Sequence, residues 1–481
     1  MSITNGFGIG SFSFRHGLNT YIRSNQKKRI TPLGIISLIL ALLVLAFAVR
    51  GIVFLLSAKR IIPKLQVNRL LSATLSKIHI HHNLLHTNIN PEQDDLPTIA
   101  RPFVSILVAT YNEHSVINKL MLSCSQLTYG RNNFEIILVD DSTDETFREL
   151  KKWQSTISNL KIFHRISRDG WKGGALNMAI QKMDKRSACA LIVDADHVLE
   201  TDTLQKFMEC FTDSKNKLAV VQGFPIPSIG SQENWIARGV YFRLVKRNLI
   251  EFVAKNDMEL PMQITGSLFM IRSNVLRKVK FSHDLTEDWE LTLDLHLKHQ
   301  LDYKKIIFYP VAIAHCEAPV KMYAYFKQRL RVSEGHTRGF RKQLSSIFKS
   351  SLPIWEKIEL FFTGSQYAKF LLIFVLIVVD LLRLVSADIL PIESSLFFVS
   401  SVAIQAFSLF LYVINNLVST NLLGTHFGYK DVLYLVAINA CTFPAFVVGS
   451  LRGIFRQSGV FHKTERINHI EQVGKDTSAA K

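Results

Sequence analysis

The sequence has little cysteine, and its few thiols form no recognisable site. Five cysteines are scattered over 481 residues, without the paired spacing of a zinc site or a thioredoxin-like motif: Cys124, Cys189, Cys210, Cys316 and Cys441. An odd and dispersed set also argues against a disulfide framework and favours a reducing compartment. A full phosphate-loop signature is absent as well.

The sequence also lacks the mixture of basic and aromatic residues that marks a nucleic-acid-binding surface. Its formal net charge is nevertheless +18, and 48% of its residues are hydrophobic. Much of the positive charge flanks long apolar runs, where it is typical of cytoplasmic loops and of contacts with lipid headgroups. We therefore predict no nucleic-acid partner and expect part of the chain to lie in a lipid bilayer.

Four apolar segments predict this membrane part. The first, residues 31–58, suits a transmembrane helix, with a buried soluble helix as the alternative. The other three cover residues 367–385, 396–418 and 432–451. Between the first segment and the other three, residues 102–345 have an ordinary globular composition.

The distribution of charge predicts the orientation. Basic residues cluster before the second apolar segment, whereas the connector SADILPIESS contains acids and no Lys or Arg, which places the globular region in the cytoplasm. The tail after Leu451 is also basic, so three spans between two cytoplasmic regions break parity. Either the tail lies outside or one segment is interfacial or re-entrant. Residues 432–451, with Asn439, Thr442 and Pro444, are the first candidate for such a segment.

Four short apolar runs of the globular region alternate with helical patterns: FVSILVAT, FEIILVDD, LKIFHRI and ALIVDAD. Such runs are typical of strands buried on both faces of a parallel sheet. Helices are expected near residues 115–126, over KGGALNMAIQKM, and after STDET with Ser142 or Thr143 as N-cap. The pattern predicts an α/β domain with a mostly parallel sheet, whose ligand binds at the carboxyl ends of the strands.

Two acids directly follow the buried run ALIV, Asp194 and Asp196. Residues two apart on an extended segment point the same way, so both carboxylates can face one site. Mg²⁺ or Mn²⁺ takes one or two carboxylates and completes its shell with water and substrate phosphates. An exposed acidic turn is the alternative, so the placement after a buried strand carries most of the signal.

Two further segments have both a binding and a structural interpretation. In DGWKGGALN, Gly173 and Gly174 let backbone amides approach a phosphate and Lys172 adds a charge, although a Gly-Gly turn into a helix is common without a ligand. Asp140 and Asp141 are either turn formers or hydrogen-bond acceptors for a nucleoside. The residues alone leave both alternatives open.

Two segments nearer the C-terminus are similarly open. Glu287 and Asp288 stand at an expected helix start after Thr286, where acids complement the helix dipole. Alternatively, Asp288 is a general base that removes a proton from an attacking hydroxyl. The segment QRLRVSEG is either a basic helical face below the membrane or a phosphate site in which Arg329 or Arg331 binds bidentately.

Taken in order from about Val104 to Gly335, these motifs resemble the membrane-embedded family 2 glycosyltransferases, the group that contains cellulose and hyaluronan synthases. TYNE and VDDSTDET are similar to the nucleotide-binding strand ends, KGGALN to the diphosphate-side segment and DAD to the metal motif. TGSLFMIRSNVL resembles the acceptor-side loop, TED the catalytic base and QRLRV the Gln-x-x-Arg-Trp motif. FHKTER is similar to the gating segment that follows the membrane helices.

This resemblance implies a role for each matching residue. Asp288 would be the catalytic base, and Asp194 and Asp196 would hold Mg²⁺ or Mn²⁺. The nucleotide-sugar side would include Thr110, Tyr111, Glu113, Asp141, Lys172, Gln328, Arg331 and Lys463, and the acceptor side Gly266, Ser267 and Glu287. The implied activity is metal-dependent inverting transfer from a UDP-sugar to a growing glycan, forming a β-glycoside. Transfer of one sugar to a polyprenyl phosphate or membrane lipid is the alternative.

One position departs from the family pattern. Val332 stands where polymerising members place a tryptophan that stacks on the acceptor sugar, which puts processive synthesis in question. Trp171, Trp235 and Trp289 are candidates for lining an acceptor path instead. The number of apolar segments is small for a wide polysaccharide channel, for which a homo-oligomer could compensate.

The resemblance also implies an organisation for the whole sequence. We expect a basic segment (1–30), a transmembrane helix (31–58), a juxtamembrane linker (59–101), a GT-A (Rossmann-like) domain (102–345), an interfacial helix (346–365), two or three transmembrane helices (366–451), and a gating-like segment with a tail (452–481). The linker histidines are expected to form a polar segment rather than a metal site: His79, His81, His82 and His86. The protein is thus expected to be a multi-pass cell-membrane protein with a cytoplasmic catalytic domain.

Overall fold

The computed structural model describes residues 32–65, 101–212, 218–228, 234–298, 305–385, 392–424 and 427–456. The chain divides into two compact units, one of residues 1–48 and 372–410, the other of residues 49–371 and 411–481. The predictions for the basic segment 1–30, the histidine-containing linker, Lys463 and the gating segment lie outside the described residues.

The described helices and strands follow each other in the alternating order expected of an α/β domain between apolar helices. The helices are α1 Pro32–Ile61, α2 Ile117–Ser125, α3 Thr146–Gln154, α4 Trp171–Lys182, α5 Thr203–Thr212, α6 Trp235–Lys246, α7 Val253–Asp257, α8 Ser273–Val279, α9 Glu287–Leu297, α10 Met322–Lys349, α11 Ile354–Gly364, α12 Ala368–Val385, α13 Ile392–Leu423 and α14 Tyr429–Phe455. The strands are β1 Val104–Thr110, β2 Phe134–Asp140, β3 Leu160–His164, β4 Cys189–Asp194, β5 Val198–Leu199, β6 Leu218–Ser228, β7 Phe269–Arg272 and β8 Lys305–Glu317. A π-helical turn, Arg247–Phe252, joins α6 to α7.

The strands form one eight-stranded sheet in the order β3-β2-β1-β4-β7-β6-β8-β5. The β1–β2, β1–β4, β2–β3 and β6–β8 pairs are parallel, and the β4–β7, β6–β7 and β5–β8 pairs are antiparallel. The predicted α/β fold with a mostly parallel sheet is therefore confirmed. The carboxyl ends of β1, β2 and β4 meet at one edge, which brings together the polar residues that follow them.

The continuous apolar character of the strands reflects burial on both faces. In β1, Ile106 and Val108 pack into one hydrophobic core, whereas Leu107 between them packs into the core on the opposite face. A strand with one wet face would alternate apolar and polar residues instead. The sheet is therefore a rigid, water-free support for the side chains at its edge.

The predicted N-cap of the helix after β2 is wrong. Helix α3 begins at Thr146, and the Thr146 N–H donates to Oδ1 of Asp144 at 2.9 Å. Ser142 and Thr143 instead fix the preceding loop, because the Asn112 N–H donates to the Ser142 hydroxyl and the Thr143 N–H donates to Asn112 Oδ1. The long-range contact to Asn112 competes successfully with local capping.

Within the described part of the chain, three helices are long and apolar enough to cross a membrane: Gly34–Ile61, Val399–Leu423 and Tyr429–Phe455. Residues 354–364 and 368–382 pass the same test only as a pair bent by 70°. Residues 432–451, the first candidate for an interfacial or re-entrant segment, lie within one continuous helix that accommodates Pro444, so no break supports re-entry there. The break falls in the 354–382 region instead.

The unit of residues 1–48 and 372–410 contains a buried polar cluster. The Ser37 hydroxyl donates to Asp380 Oδ1 at 2.9 Å, and its oxygen lies 2.7 Å from the Ser401 hydroxyl oxygen, within hydrogen-bond distance. The Gln405 amide donates to the other Asp380 oxygen at 2.6 Å. These hydrogen bonds connect α1, α12 and α13. They satisfy polar atoms whose burial without a hydrogen bond would cost free energy.

Candidate active site

A cavity of about 470 Å³ opens at the carboxyl edge of the sheet, in the unit of residues 49–371 and 411–481. It collects almost every residue singled out from the sequence: Thr110, Tyr111, Glu113, Asp141, Lys172, Asp194, Asp196, Gly266, Ser267, Glu287, Asp288, Gln328 and Arg331. Lys463, the remaining one, lies outside the described residues. Segments far apart in sequence thus converge on one space of a size suited to a small organic ligand.

One part of the cavity is rich in metal-binding groups. Asp194 ends β4, Asp196 and His197 follow, and one ligand atom from each lies within 4.8 Å of the others. The backbone N–H of Asp194 donates to the Ser267 hydroxyl at 2.7 Å, which holds the strand end against the loop before β7. Two carboxylates and an imidazole form a donor set that fits a divalent cation such as Mn²⁺. His197, which the sequence left without a role, is the third member.

Lys172 supplies the positive charge beside these acids. Its Nζ lies 2.6 Å from Asp194 Oδ1 and 3.2 Å from Glu287 Oε1, and it donates to the Gly266 carbonyl at 2.8 Å. Burial alone would lower the pKa of Lys172, but the charges of Asp194 and Glu287 outweigh it and raise that pKa. Lys172, which is expected beside a diphosphate, therefore carries a positive charge. Its ammonium group connects Asp194 to Glu287 in α9, the helix that carries Asp288.

The two glycines after Lys172 serve packing. A Cβ on Gly173 would lie 2.0 Å from the Ser282 carbonyl oxygen, and one on Gly174 would lie 1.9 Å from the Asp169 carbonyl oxygen. The Gly174 N–H already donates to the Gly170 carbonyl at 2.7 Å, so it is engaged within the turn. This contact favours the structural interpretation of Gly174 over the phosphate-binding one. The glycines let α4 press against the segment that precedes Asp288.

We expect Gly173→Ala to lower the free energy of unfolding by about 1–3 kcal/mol or more, the usual cost of forcing extra atoms into a packed site. The new methyl group would meet a backbone carbonyl, which cannot rotate away as a flexible side chain could. Thermal unfolding of the purified protein, compared with Ala175→Gly in the same helix turn, measures the effect. An unchanged melting temperature for Gly173→Ala would contradict the packing role.

Asp288 lies in the first turn of α9, which begins at Glu287 as predicted. Its Oδ1 accepts a hydrogen bond from the Trp289 N–H at 2.9 Å. A Cβ on Gly266, whose φ is +82°, would lie 3.1 Å from Oδ2, so the absent side chain keeps that oxygen accessible. Burial, reinforced by the charge of Glu287, raises the pKa of Asp288 to about 7. A carboxyl group with this pKa can accept a proton at neutral pH.

The pKa of Asp288 predicts an acid limb in the activity. Because the carboxylate is the active form, kcat/KM should fall about tenfold per pH unit below about pH 7. The limb in kcat should lie at lower pH, since a bound cation would favour the ionised carboxylate. Initial rates between pH 5 and 8.5 provide the measurement. A kcat/KM that is flat over this range would contradict the assignment of Asp288.

The structure separates the two interpretations of Asp140 and Asp141. Asp140 is fully buried and accepts hydrogen bonds from Thr110 and Ser142, and its Oδ2 lies 2.8 Å from His164 Nδ1. Asp141 lines the cavity, and Arg165 donates to both of its oxygens. Asp140 is thus a structural acid, whereas Asp141 borders the cavity and is paired with Arg165.

Helix α10 closes the cavity from the other side and fixes the segment before Asp288. The buried Arg338 donates to Asp284 Oδ1 at 2.8 Å and to Glu334 at 2.9 Å. Arg331 Nη1 lies 3.4 Å from the Leu285 carbonyl oxygen, and its charge interacts with those of Glu287 and Asp288. Helix α10 therefore contributes both cavity residues and the contacts that position α9.

Val332 lines the cavity without an aromatic surface. Of the three tryptophans proposed for an acceptor path, Trp289 is the one that lines it among the described residues. The ring of Trp289 is 2% exposed and stacks on His336 with centroids 4.3 Å apart, so one of its faces is already covered. Position 332 therefore offers no aromatic surface, although Tyr325 and Tyr367 also line the cavity.

Several cavity residues were missed by sequence reasoning. Arg168 stacks on Tyr111, with Cζ 3.3 Å from the ring centroid, at the nucleotide-side end. Arg243 and Arg247 belong to α6 and the turn after it, where no motif marks them. His197 directly follows Asp196, so the sequence offered a signal for this residue, but none for the three arginines.

Comparisons with known proteins agree with this geometry. The sequence model of the family described as Glycosyl transferase family 2 matches residues 105–280. A Sulfolobus acidocaldarius protein named "Probable glycosyltransferase" is 25% identical over 279 residues, which are 57% of this chain and 58% of that protein. An Arabidopsis thaliana protein named "Probable glucomannan 4-beta-mannosyltransferase 10" is 26% identical over 271 residues, which are 54% of this chain and 48% of that protein. The chain thus spans about half the length of the curated relatives it matches.

Among solved structures, the mannosyltransferase PcManGT from Pyrobaculum calidifontis, in complex with GDP-Man and Mn²⁺, has a similar fold. The match has a TM-score of 0.52 and 17% sequence identity, and it covers 86% of this chain and 100% of that one. The predicted GT-A-like fold is thereby confirmed. The family model and the relatives support a family 2 glycosyltransferase domain within residues 105–280 of this chain.

Proposed function

We propose that the protein is an integral-membrane inverting glycosyltransferase that moves a sugar from a nucleoside diphosphate to an acceptor hydroxyl, forming a β-glycoside. One observation carries the proposal: the metal-binding group of Asp194, Asp196 and His197 shares a cavity with Asp288, a carboxyl group whose pKa is raised to about 7. A single displacement needs only these two elements, a stabilised leaving group and one base.

The chain's own residues define the steps. Asp288 accepts the proton of the acceptor hydroxyl, whose oxygen attacks the anomeric carbon while the bond to the diphosphate breaks. Asp194, Asp196 and His197 would hold Mg²⁺ or Mn²⁺, which when bound supplies positive charge to the departing diphosphate. Lys172 and Arg331 add positive charge on the same side, and Glu287 keeps the Lys172 ammonium directed into the site.

Asp141 and its neighbours suit the base of the donor nucleotide. A carboxylate accepts N–H donors, which both uracil and guanine present, so Asp141 fits a UDP-sugar or a GDP-sugar. We propose a UDP-sugar on the motif pattern, and GDP-mannose as the second candidate. The second candidate is motivated by the mannosyltransferases among the compared proteins, one of which was solved with GDP-Man. Thr110, Tyr111, Glu113 and Gln328 would complete the nucleotide-sugar side.

The acceptor and the product length form a separate part of the proposal. Gly266 and Ser267 would border the acceptor, a growing glycan or a lipid-linked molecule. Val332 and the partly covered Trp289 favour a short product over a long polymer, because stacking platforms for successive sugars are few. The candidate spans support a membrane location, and we propose a multi-pass protein whose catalytic domain faces the cytoplasm. A homo-oligomer is compatible with this arrangement.

Product analysis tests the proposal. Purified protein in lipid nanodiscs is incubated with Mn²⁺ and labelled UDP- and GDP-sugars, and the products are separated by size. We expect label transfer from one donor class, with one or a few sugars added. A ladder of long products would contradict the short-product part, and the absence of transfer from every donor would contradict the activity.

A further inference from the structure

The cavity contains a second charged region that the proposed mechanism does not use. Arg243 in α6, Arg247 in the following turn and Arg329 in α10 all line it. These residues come from two segments of the chain that are more than eighty residues apart. We refer to these three side chains as the guanidinium cluster.

The guanidinium cluster is poorly compensated by protein groups. The buried Nε atoms of Arg247 and Arg329 have no hydrogen-bond partner among the described residues. Arg243 donates to the Tyr325 hydroxyl, and the Arg329 guanidinium lies 5.2 Å from the centre of the Tyr325 ring. Glu251, whose charge acts on Arg247, is already paired with Arg50 at 2.9 Å. The three arginines are partly buried. Removing a cation from water without a counter-charge is costly, so a bound anion would stabilise this arrangement.

The electrostatics separate this cluster from the donor side. Burial lowers the pKa of Arg247 and Arg329, and the charge of Arg243 lowers both further. Arg331 interacts with Arg329 as well, but unlike the cluster residues it also interacts with Glu287, Asp288 and Asp194. One cavity therefore has an acidic part, where a cation fits, and a basic part, where a second anion fits.

The basic part lies against helices of the membrane-spanning type. Lys246, at the end of α6, donates to Asn416 of α13 at 2.7 Å. Gly239 of α6 packs so closely on α14 that a Cβ would lie 3.1 Å from the Tyr434 backbone. Tyr367, which lines the cavity, stacks on Phe446 of α14 with centroids 5.6 Å apart. An anion bound here would therefore be close to the bilayer.

We propose that the guanidinium cluster binds the phosphate group of the acceptor, and that the acceptor is a phosphorylated lipid entering from the side of α13 and α14. Arginine recognises phosphate bidentately, and three converging guanidiniums suit a phosphomonoester or a diphosphate. A phosphate is largely deprotonated at neutral pH and offers Asp288 little to remove. The phosphate is thus a handle, and a hydroxyl elsewhere on the acceptor is the nucleophile. This inference rests on the proposed function, since it specifies the acceptor of the same transfer.

Equilibrium binding to the full-length protein in phosphatidylcholine nanodiscs tests the inference. The probes are farnesyl phosphate, farnesol and glucose 1-phosphate, with binding to empty nanodiscs subtracted. We expect saturable binding of farnesyl phosphate, at least tenfold weaker binding of glucose 1-phosphate, and none of farnesol. Arg247→Gln and Arg329→Gln should each raise the Kd for farnesyl phosphate at least tenfold, and Arg329→Lys should raise it less.

Two controls make the outcome specific. Arg341→Gln removes an exposed arginine of α10 and should leave farnesyl phosphate binding unchanged. The Mn²⁺-dependent Kd for UDP or GDP should stay within about threefold in the cluster variants, which also verifies that they are folded. An equal loss of nucleotide binding would assign the cluster to the donor diphosphate and overturn the inference.

The remaining outcomes are equally decisive. Binding of farnesol as tight as that of farnesyl phosphate would overturn phosphate recognition, and equal binding of glucose 1-phosphate would overturn the lipid part. If the unaltered protein bound no nucleotide, the proposed function would fail, irrespective of the result with farnesyl phosphate.

Discussion

Asp288→Asn is expected to reduce glycosyl transfer at least 1,000-fold while leaving donor affinity nearly unchanged. The amide has the shape of the carboxylate, so the hydrogen bond from the Trp289 N–H and the packing of α9 are retained. What is lost is the ability to accept a proton, whose contribution is typically 10²–10⁴-fold. Single-turnover transfer from a labelled donor, together with equilibrium binding of that donor, separates chemistry from binding.

Asp294→Asn provides the matched control for this experiment. Asp294 belongs to the same helix, where it pairs with Lys298 at 2.7 Å and does not line the cavity. Its replacement should leave transfer within about twofold of the unaltered protein, since partly exposed ion pairs contribute little. A transfer rate in Asp288→Asn that equals the rate in Asp294→Asn would refute the assigned base.

Asp194→Asn is expected to abolish most of the gain in donor affinity that Mn²⁺ provides. With Mn²⁺ present, the Kd for the donor should rise about 100-fold or more. The substitution removes one anionic ligand from the group formed with Asp196 and His197, and a neutral amide is a much weaker ligand for a divalent ion. It also removes a carboxylate that lies 2.6 Å from Lys172. Titration of nucleotide binding with and without Mn²⁺ measures the effect.

The control for the second experiment is Asp202→Asn. Asp202 lies a few residues further along the chain and pairs with Lys206 outside the cavity. We expect nucleotide binding by Asp202→Asn to depend on Mn²⁺ to the same extent as in the unaltered protein. If nucleotide binding by Asp194→Asn also retained its full Mn²⁺ dependence, the assignment of Asp194, Asp196 and His197 as the metal ligands would be wrong.

Much of the site was accessible from the sequence because it depends on local patterns. The strand ALIV is apolar on both faces, so the acids after it had to lie at the sheet edge, and Asp194 does end β4. The TED segment began a helix as expected, with Asp288 in its first turn. Strand periodicity and helix-start signals operate within a few residues, which is the range that a single sequence reveals.

What the sequence did not reveal depends on contacts between distant segments. Nothing near Gly173 indicates that Ser282 would lie against it, so the sequence left its phosphate-binding and structural interpretations open. The partners of Lys172, including Glu287, are equally remote in sequence. Arg243 lies in a helix where a cation is unremarkable. Its common environment with Arg329, which the sequence had indicated as a possible phosphate ligand, arises only when α6 and α10 meet at the cavity.

The sequence predicted where the apolar helices lie, but not which of them contains a break. Hydropathy located the apolar segments, because a span of about 20 apolar residues is a strong local signal. It could not indicate which segment contains the break, since Pro444 marks a weak point that α14 nevertheless accommodates. The bend lies between residues 354–364 and 368–382 instead.

The measurement that tests the central claim most directly is nucleoside diphosphate release coupled to label transfer, with protein in nanodiscs, Mn²⁺ and a panel of labelled nucleotide sugars. The account predicts that one donor class releases its diphosphate and labels an acceptor in equal amounts, and that Asp288→Asn eliminates both signals. Failure of every nucleotide sugar to bind or react, or equal turnover in Asp288→Asn, would contradict it.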